Sequence, residues 1–118
     1  MALTLEEVRE SVAQQMTNSA WYNYPEESCL EPSKDLCHVV TGLNGEAGEV
    51  AELLKKEIFR GKKKTKDEWA SELGDVLWYL MAVATIKDIN IEYIWHLNCA
   101  KLEERRKNGM KGKDTWEG

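Results

Sequence analysis

The sequence predicts an all-α protein of four helices, and three observations carry that expectation. Apolar residues recur at i, i+3 and i+4 in three segments, capping signals precede three of the four helices, and only 2 prolines occur in 118 residues. With 42% hydrophobic and 31% charged residues, the chain can bury a core. Its length suits a single domain over residues 1–118, with a helical core over 35–107 and a mobile tail over 110–118.

The first helix starts at a capping box, Thr4 with Glu7, and buries Leu5, Val8, Val12, Ala13 and Met16 on one stripe. Residues 17–34 mix turn formers with Trp21, Tyr22 and Tyr24 and hold both prolines, which predicts an ordered loop or a broken helix. The second helix runs from about Asp35 to Phe59, with Leu36, Val39, Val40, Leu43, Val50, Leu54 and Ile58 on its stripe. Gly42, Gly45 and Gly48 lie inside it, each at a cost of about 1 kcal/mol relative to Ala. Close approach of another helix or of a ligand would justify them. Gly61 and the basic run Lys62 to Lys64 end this helix. Thr65 and Glu68 form a second capping box for a third helix, Lys66 to about Lys87. Its stretch Val76 to Ala84 is apolar almost all round, so part of that surface is expected to meet a second subunit. Asp88-Ile89-Asn90 forms a turn, Asn90 caps the fourth helix, and that helix spans about Ile91 to Lys107.

Charge and cysteine content narrow the function. A net charge of −5 disfavours non-specific nucleic-acid binding, which needs a basic face. The most apolar run is far shorter than the roughly 20 residues that span a bilayer, so no membrane partner is expected. The opening MALTLEEVRE has no charged-then-apolar leader pattern, and the 3 cysteines cannot all pair, which together predict a reducing, cytoplasmic compartment.

The chemistry concentrates in two acidic pairs. Glu46 and Glu49 on the second helix, and Glu72 and Asp75 on the third, are each spaced i, i+3. That spacing sets both carboxylates of a pair on one side of a helix, about 5–6 Å apart. The short connection 60–64 folds the helices back as a hairpin, so four carboxylates converge at the edge of the core. Together they repel and raise one another's pKa values, and a divalent cation removes the conflict. All-oxygen ligation suits Mg²⁺, with Mn²⁺ as a substitute, better than Zn²⁺. A Mg²⁺ cluster on an acidic protein points to a phosphate ester or anhydride. An E-x-x-E pair by itself is common on solvated helix faces, and the adjacent pairs Glu6/Glu7, Glu26/Glu27 and Glu103/Glu104, which lack the hairpin and glycine context, are taken as solvated charge. Glu52 continues the series on the more exposed side and stays ambiguous.

The strings GEAGEVAEL and ELGDVLWYL, with this separation, resemble the paired E-x-x-E and E-x-x-D motifs of MazG-like nucleotide pyrophosphohydrolases. The resemblance covers about Leu36 to Arg106. It implies a four-helix bundle completed by dimerisation, as a dimer or a dimer of dimers. It also implies Mg²⁺-dependent hydrolysis of a nucleoside triphosphate between the α- and β-phosphates, giving monophosphate and diphosphate. Glu46, Glu49, Glu72 and Asp75 would be the metal ligands by motif position, and Asn98, Lys101 and Arg105 the substrate contacts. Some compact relatives select a guanine nucleotide such as dGTP, and others are broad. Among the ligands, Glu49 is our choice for general base.

Four further features have two accounts each. Tyr79, one turn beyond Asp75, borders a base or sugar, or is a core or interface tyrosine. Trp21, Tyr22 and Tyr24 form a base-binding wall or a lid on the bundle. Lys55 or Lys56 reaches triphosphate oxygens, or simply favours the helix dipole. The run Arg60 to Lys64 steers phosphate or is a solvated turn. Cys29, Cys37, His38, His96 and Cys99 have no zinc-ligand spacing. The rival functions are a non-catalytic helical adaptor using the apolar third helix, and a related pyrophosphatase with a dUTPase-like or phosphoribosyl-ATP substrate.

Overall fold

The computed structural model describes residues 2–17 and 33–109. The aromatics Trp21, Tyr22 and Tyr24, with Cys29 and the expected tail over 110–118, lie outside the described residues. Four helices follow in order: α1 (Leu5–Thr17), α2 (Ser33–Arg60), α3 (Lys66–Ile86) and α4 (Ile91–Lys107). No strand occurs among the described residues, so the fold is all-α.

The caps form where the sequence locates them. Thr4 N–H donates to Glu7 Oε1 at 2.8 Å, and Glu7 N–H donates back to Thr4 Oγ1 at 3.0 Å. At α3, Glu68 N–H donates to Thr65 Oγ1 at 3.1 Å, while the Thr65 hydroxyl, not its amide, turns to Glu68 Oε1. Asn90 Oδ1 accepts from the amides of Glu92 and Tyr93, an arrangement worth about 1 kcal/mol to α4. α2 ends at Gly61, whose φ of +65° reverses the chain. α3 ends in a Schellman turn: Ile89 N–H reaches Ala84 O at 2.9 Å and Asp88 N–H reaches Thr85 O at 3.2 Å. The left-handed position there is Asp88, with φ 56°, where glycine is the usual occupant.

α2 and α3 pack antiparallel along their length, α1 lies on α3, and α4 packs chiefly on α1. The hairpin keeps one register: Gly42 faces Tyr79, Glu46 faces Asp75, and Glu57 Oε1 accepts the Lys64 amide at 2.8 Å. The core gathers at the end away from the α2–α3 turn, where Val12 and Met16 meet Val39, Met81, Ala82, Ala84 and Ile91. Two polar contacts pin α1 to α3 there. Arg9, paired with Glu6 at 2.6 Å, donates to Thr85 Oγ1 at 3.1 Å, and the Trp78 indole donates to Gln15 Oε1 at 2.6 Å.

The expected stripe of α2 is only partly buried. Val39 is fully inside, but Val40, Leu54 and Ile58 are exposed, and Leu53 is buried in place of Leu54. One residue is about 100° of helix rotation, and the hairpin register turns Leu53 to α3 and Leu54 away. On α3 the row Leu73, Leu77 and Leu80 is exposed, as are Tyr93, Trp95, Leu97 and Leu102 on α4. No described helix is long and apolar enough to cross a membrane.

Candidate metal and nucleotide site

Glu46 stands near the middle of α2, and Glu72 and Asp75 lie one turn apart in the first half of α3. The antiparallel register brings the three together: one carboxylate oxygen from each lies within 4.8 Å of the others. It is the one such group of potential metal ligands among the described residues. Glu46 and Glu72 are half-buried, while Asp75 opens to solvent. The Glu46 carboxyl is held above the ordinary carboxylate range, first by desolvation and then by the charges of Asp75, Glu72 and Glu49. A side-chain hydrogen bond between Glu46 and Asp75 adds to the same shift. Such a group relaxes either by keeping a proton or by taking up a cation. Its donors are all hard oxygens, which fits Mg²⁺ or Mn²⁺ and gives Zn²⁺ none of its preferred nitrogen or sulfur.

The fourth acidic residue of the motifs, Glu49, is exposed and outside that close group, though its charge is felt at Glu46. Glu52, the ambiguous member of the series, points into solvent and pairs loosely with Lys55 at 3.9 Å. Lys56 is half-buried on the stretch of α2 between the carboxylates and the turn. Tyr79 is half-buried one turn beyond Asp75, packed on the core cluster, with its ring edge-on to Trp78 at 5.1 Å between centroids.

The α4 candidates sit elsewhere in the chain. Asn98 and Lys101 line a cleft of about 240 Å³ with Ile89, Tyr93, Ile94 and Leu97, and none of the acidic residues borders it. Arg105 is half-buried near the end of α4. A single chain thus assembles three of the carboxylates, and the cleft that Asn98 and Lys101 line does not include them.

The profile of the MazG nucleotide pyrophosphohydrolase domain matches residues 36–110, which include both acidic pairs and all of α4. The chain belongs to the MazG family. Within that family the chain is similar to the Gene 37 protein of Mycobacterium phage L5. The two are 35% identical over 92 residues, covering 74% of this chain and 80% of the phage protein. No solved structure gives a significant match. A MazG domain implies a nucleotide substrate and pyrophosphohydrolase chemistry in general terms.

Proposed function

We propose that this MazG-family chain is a Mg²⁺-dependent nucleoside triphosphate pyrophosphohydrolase, cleaving the α–β phosphoanhydride to release a nucleoside monophosphate and diphosphate. One observation carries the proposal: Glu46, Glu72 and Asp75 meet within 4.8 Å, in a charge conflict that a hard cation relieves. Glu49 completes the ligand set on this reading. A bound Mg²⁺ would neutralise phosphate oxygens and acidify a nearby water.

The chain's own residues supply the rest. Glu49, exposed beside the close group, is assigned as the base that takes a proton from the attacking water. Lys56 is assigned to phosphate oxygens, and Tyr79 to the nucleoside. Asn98, Lys101 and Arg105 are assigned to substrate, and a second copy of the chain is the means of bringing α4 to the carboxylates. The exposed row Leu73, Leu77 and Leu80, which share one side of α3, supports such a partner, because a solvated helix rarely leaves an apolar row uncovered. The enzyme is therefore proposed as a homo-oligomer, a dimer or dimer of dimers, acting in the cytoplasm through a single domain.

The deciding assay offers the common NTPs and dNTPs, dGTP and dUTP among them, with Mg²⁺, and measures monophosphate and diphosphate. Stoichiometric release of both from at least one nucleotide is expected, and no release from any would defeat the proposal. An adaptor would in addition show no Mg²⁺-linked rise in melting temperature with a nucleotide analogue. Sedimentation of the same sample should give at least twice the 13.6 kDa chain mass. A monomer that turns over nucleotide would remove the second copy from the site.

A further inference from the structure

The helix-interior glycines do not share one cause. Where a Cβ would stand on Gly45, Gly48 or Gly74, there is nothing within 4 Å. On Gly42 the same atom would fall 2.6 Å from both Cδ1 and Cζ of Tyr79, and nearer still to Cε1. Any larger residue must push that ring off α2. The ring has little room to yield, since Tyr79 packs on the core cluster and Trp78 meets it at 74°. A poor helix former thus occupies the middle of a long helix where one aromatic ring lies on bare backbone.

From the Glu46–Asp75 pair, the hairpin runs in two directions. One leads to the turn, with Arg60, Lys62, Lys63, Lys64 and Lys66. The other leads, one helical turn on, to Gly42 and Tyr79. A nucleoside triphosphate is equally two-ended, with a polyanionic tail and a flat, uncharged base and sugar. Cations suit the tail, and an aromatic face suits the nucleoside. Cleavage between the α- and β-phosphates fixes the α-phosphate at the carboxylates. Residues one turn apart are about 5–6 Å apart, which sets Tyr79 beside the sugar next in line.

We propose that Gly42 is a positioning residue for substrate: its bare backbone holds the Tyr79 ring across the α2–α3 seam, on the nucleoside side of the acidic group. This rests on the pyrophosphohydrolase function proposed above. The test compares wild type, Gly42→Ala, Tyr79→Ala and the double variant, with Mg²⁺ and the best nucleotide of the panel. Gly42→Ala is expected to raise KM about tenfold with little change in kcat, because ground-state placement is what it disturbs. Tyr79→Ala should do the same, and the double variant should be no worse than Tyr79→Ala alone. Melting supplies a readout that a helix-propensity effect would not reproduce. Gly42→Ala should lower the melting temperature when Tyr79 is present and raise it in the Tyr79→Ala background, where no ring is struck. In an active wild type, an unchanged KM in Gly42→Ala, or losses that simply add in the double variant, overturns the role of Gly42 alone. A wild type that releases no diphosphate overturns this inference together with the proposed function. If Gly42→Ala does not fold, an unchanged KM in Tyr79→Ala overturns the proposal equally.

Discussion

Asp75→Ala is expected to reduce Mg²⁺-dependent diphosphate release by at least about 10²-fold while leaving the far-ultraviolet helix signal intact. The loss follows from where Asp75 sits. Its carboxylate meets Glu46 and Glu72, and it is the most solvent-open of the three, which on the proposed function is the side that receives a hydrated cation and its phosphates. Removing it would take a ligand from the proposed cation and, in the metal-free chain, also takes away a charge that raises the Glu46 carboxyl. Activity and stability should therefore separate, with catalysis falling and the metal-free melting temperature steady or higher. The sign of the pH effect is consistent with this. With its folded-state affinity for a proton raised, Glu46 penalises the metal-free fold progressively as pH climbs through the carboxylate range. The gain in melting temperature from Mg²⁺ should accordingly be larger at neutral pH than in acid. Glu49→Ala separates its two assigned roles, since a lost turnover with retained Mg²⁺ affinity marks a base, and loss of both marks a ligand. Turnover unchanged in both Asp75→Ala and Glu49→Ala would rule the site out.

The second large effect is on stability. Met81→Ala should remove about 2–5 kcal/mol of folding free energy, read as a lower urea midpoint at unchanged slope. Met81 is 1% exposed and belongs to the cluster in which α1, α2, α3 and the start of α4 all meet. Its thioether chain fills space between elements that cannot all collapse onto a methyl group. Small domains have about 5–15 kcal/mol in total, so the variant should melt at a markedly lower temperature. A change under about 1 kcal/mol would mean that the four helices do not converge on this side chain.

Much of this was legible in the residues. Thr4 with Glu7, Thr65 with Glu68, and Asn90 announced three helix starts through local chemistry that needs no tertiary context. The two acidic pairs were legible for the same reason, because i, i+3 spacing fixes a shared face before any packing occurs. The hairpin's rotation was not legible. Leu53 and Leu54 are both leucines, and only docking against α3 decides which turns inward. The i, i+3 spacing also does not show that Glu49 stays outside the close carboxylate group. Nor does periodicity locate α4, whose apolar residues are scattered round its circumference, so Asn98 and Lys101 could be named but not placed. The glycine pattern carried a partial signal: close approach was the expected reason for Gly42, Gly45 and Gly48, and a described neighbour supplies it at Gly42 alone.

The five residues between Arg60 and Lys66 have a bearing on how such a protein is built up in time. Closing so short a loop removes little chain entropy, and the Glu57 clasp on the Lys64 amide holds its far side. The acidic constellation therefore belongs to the most local unit of the molecule, able to zip up before the outer helices dock. Glu46, Glu72 and Asp75 thus ride on one self-contained pair of rods, and the outer helices α1 and α4 supply none of the three carboxylates.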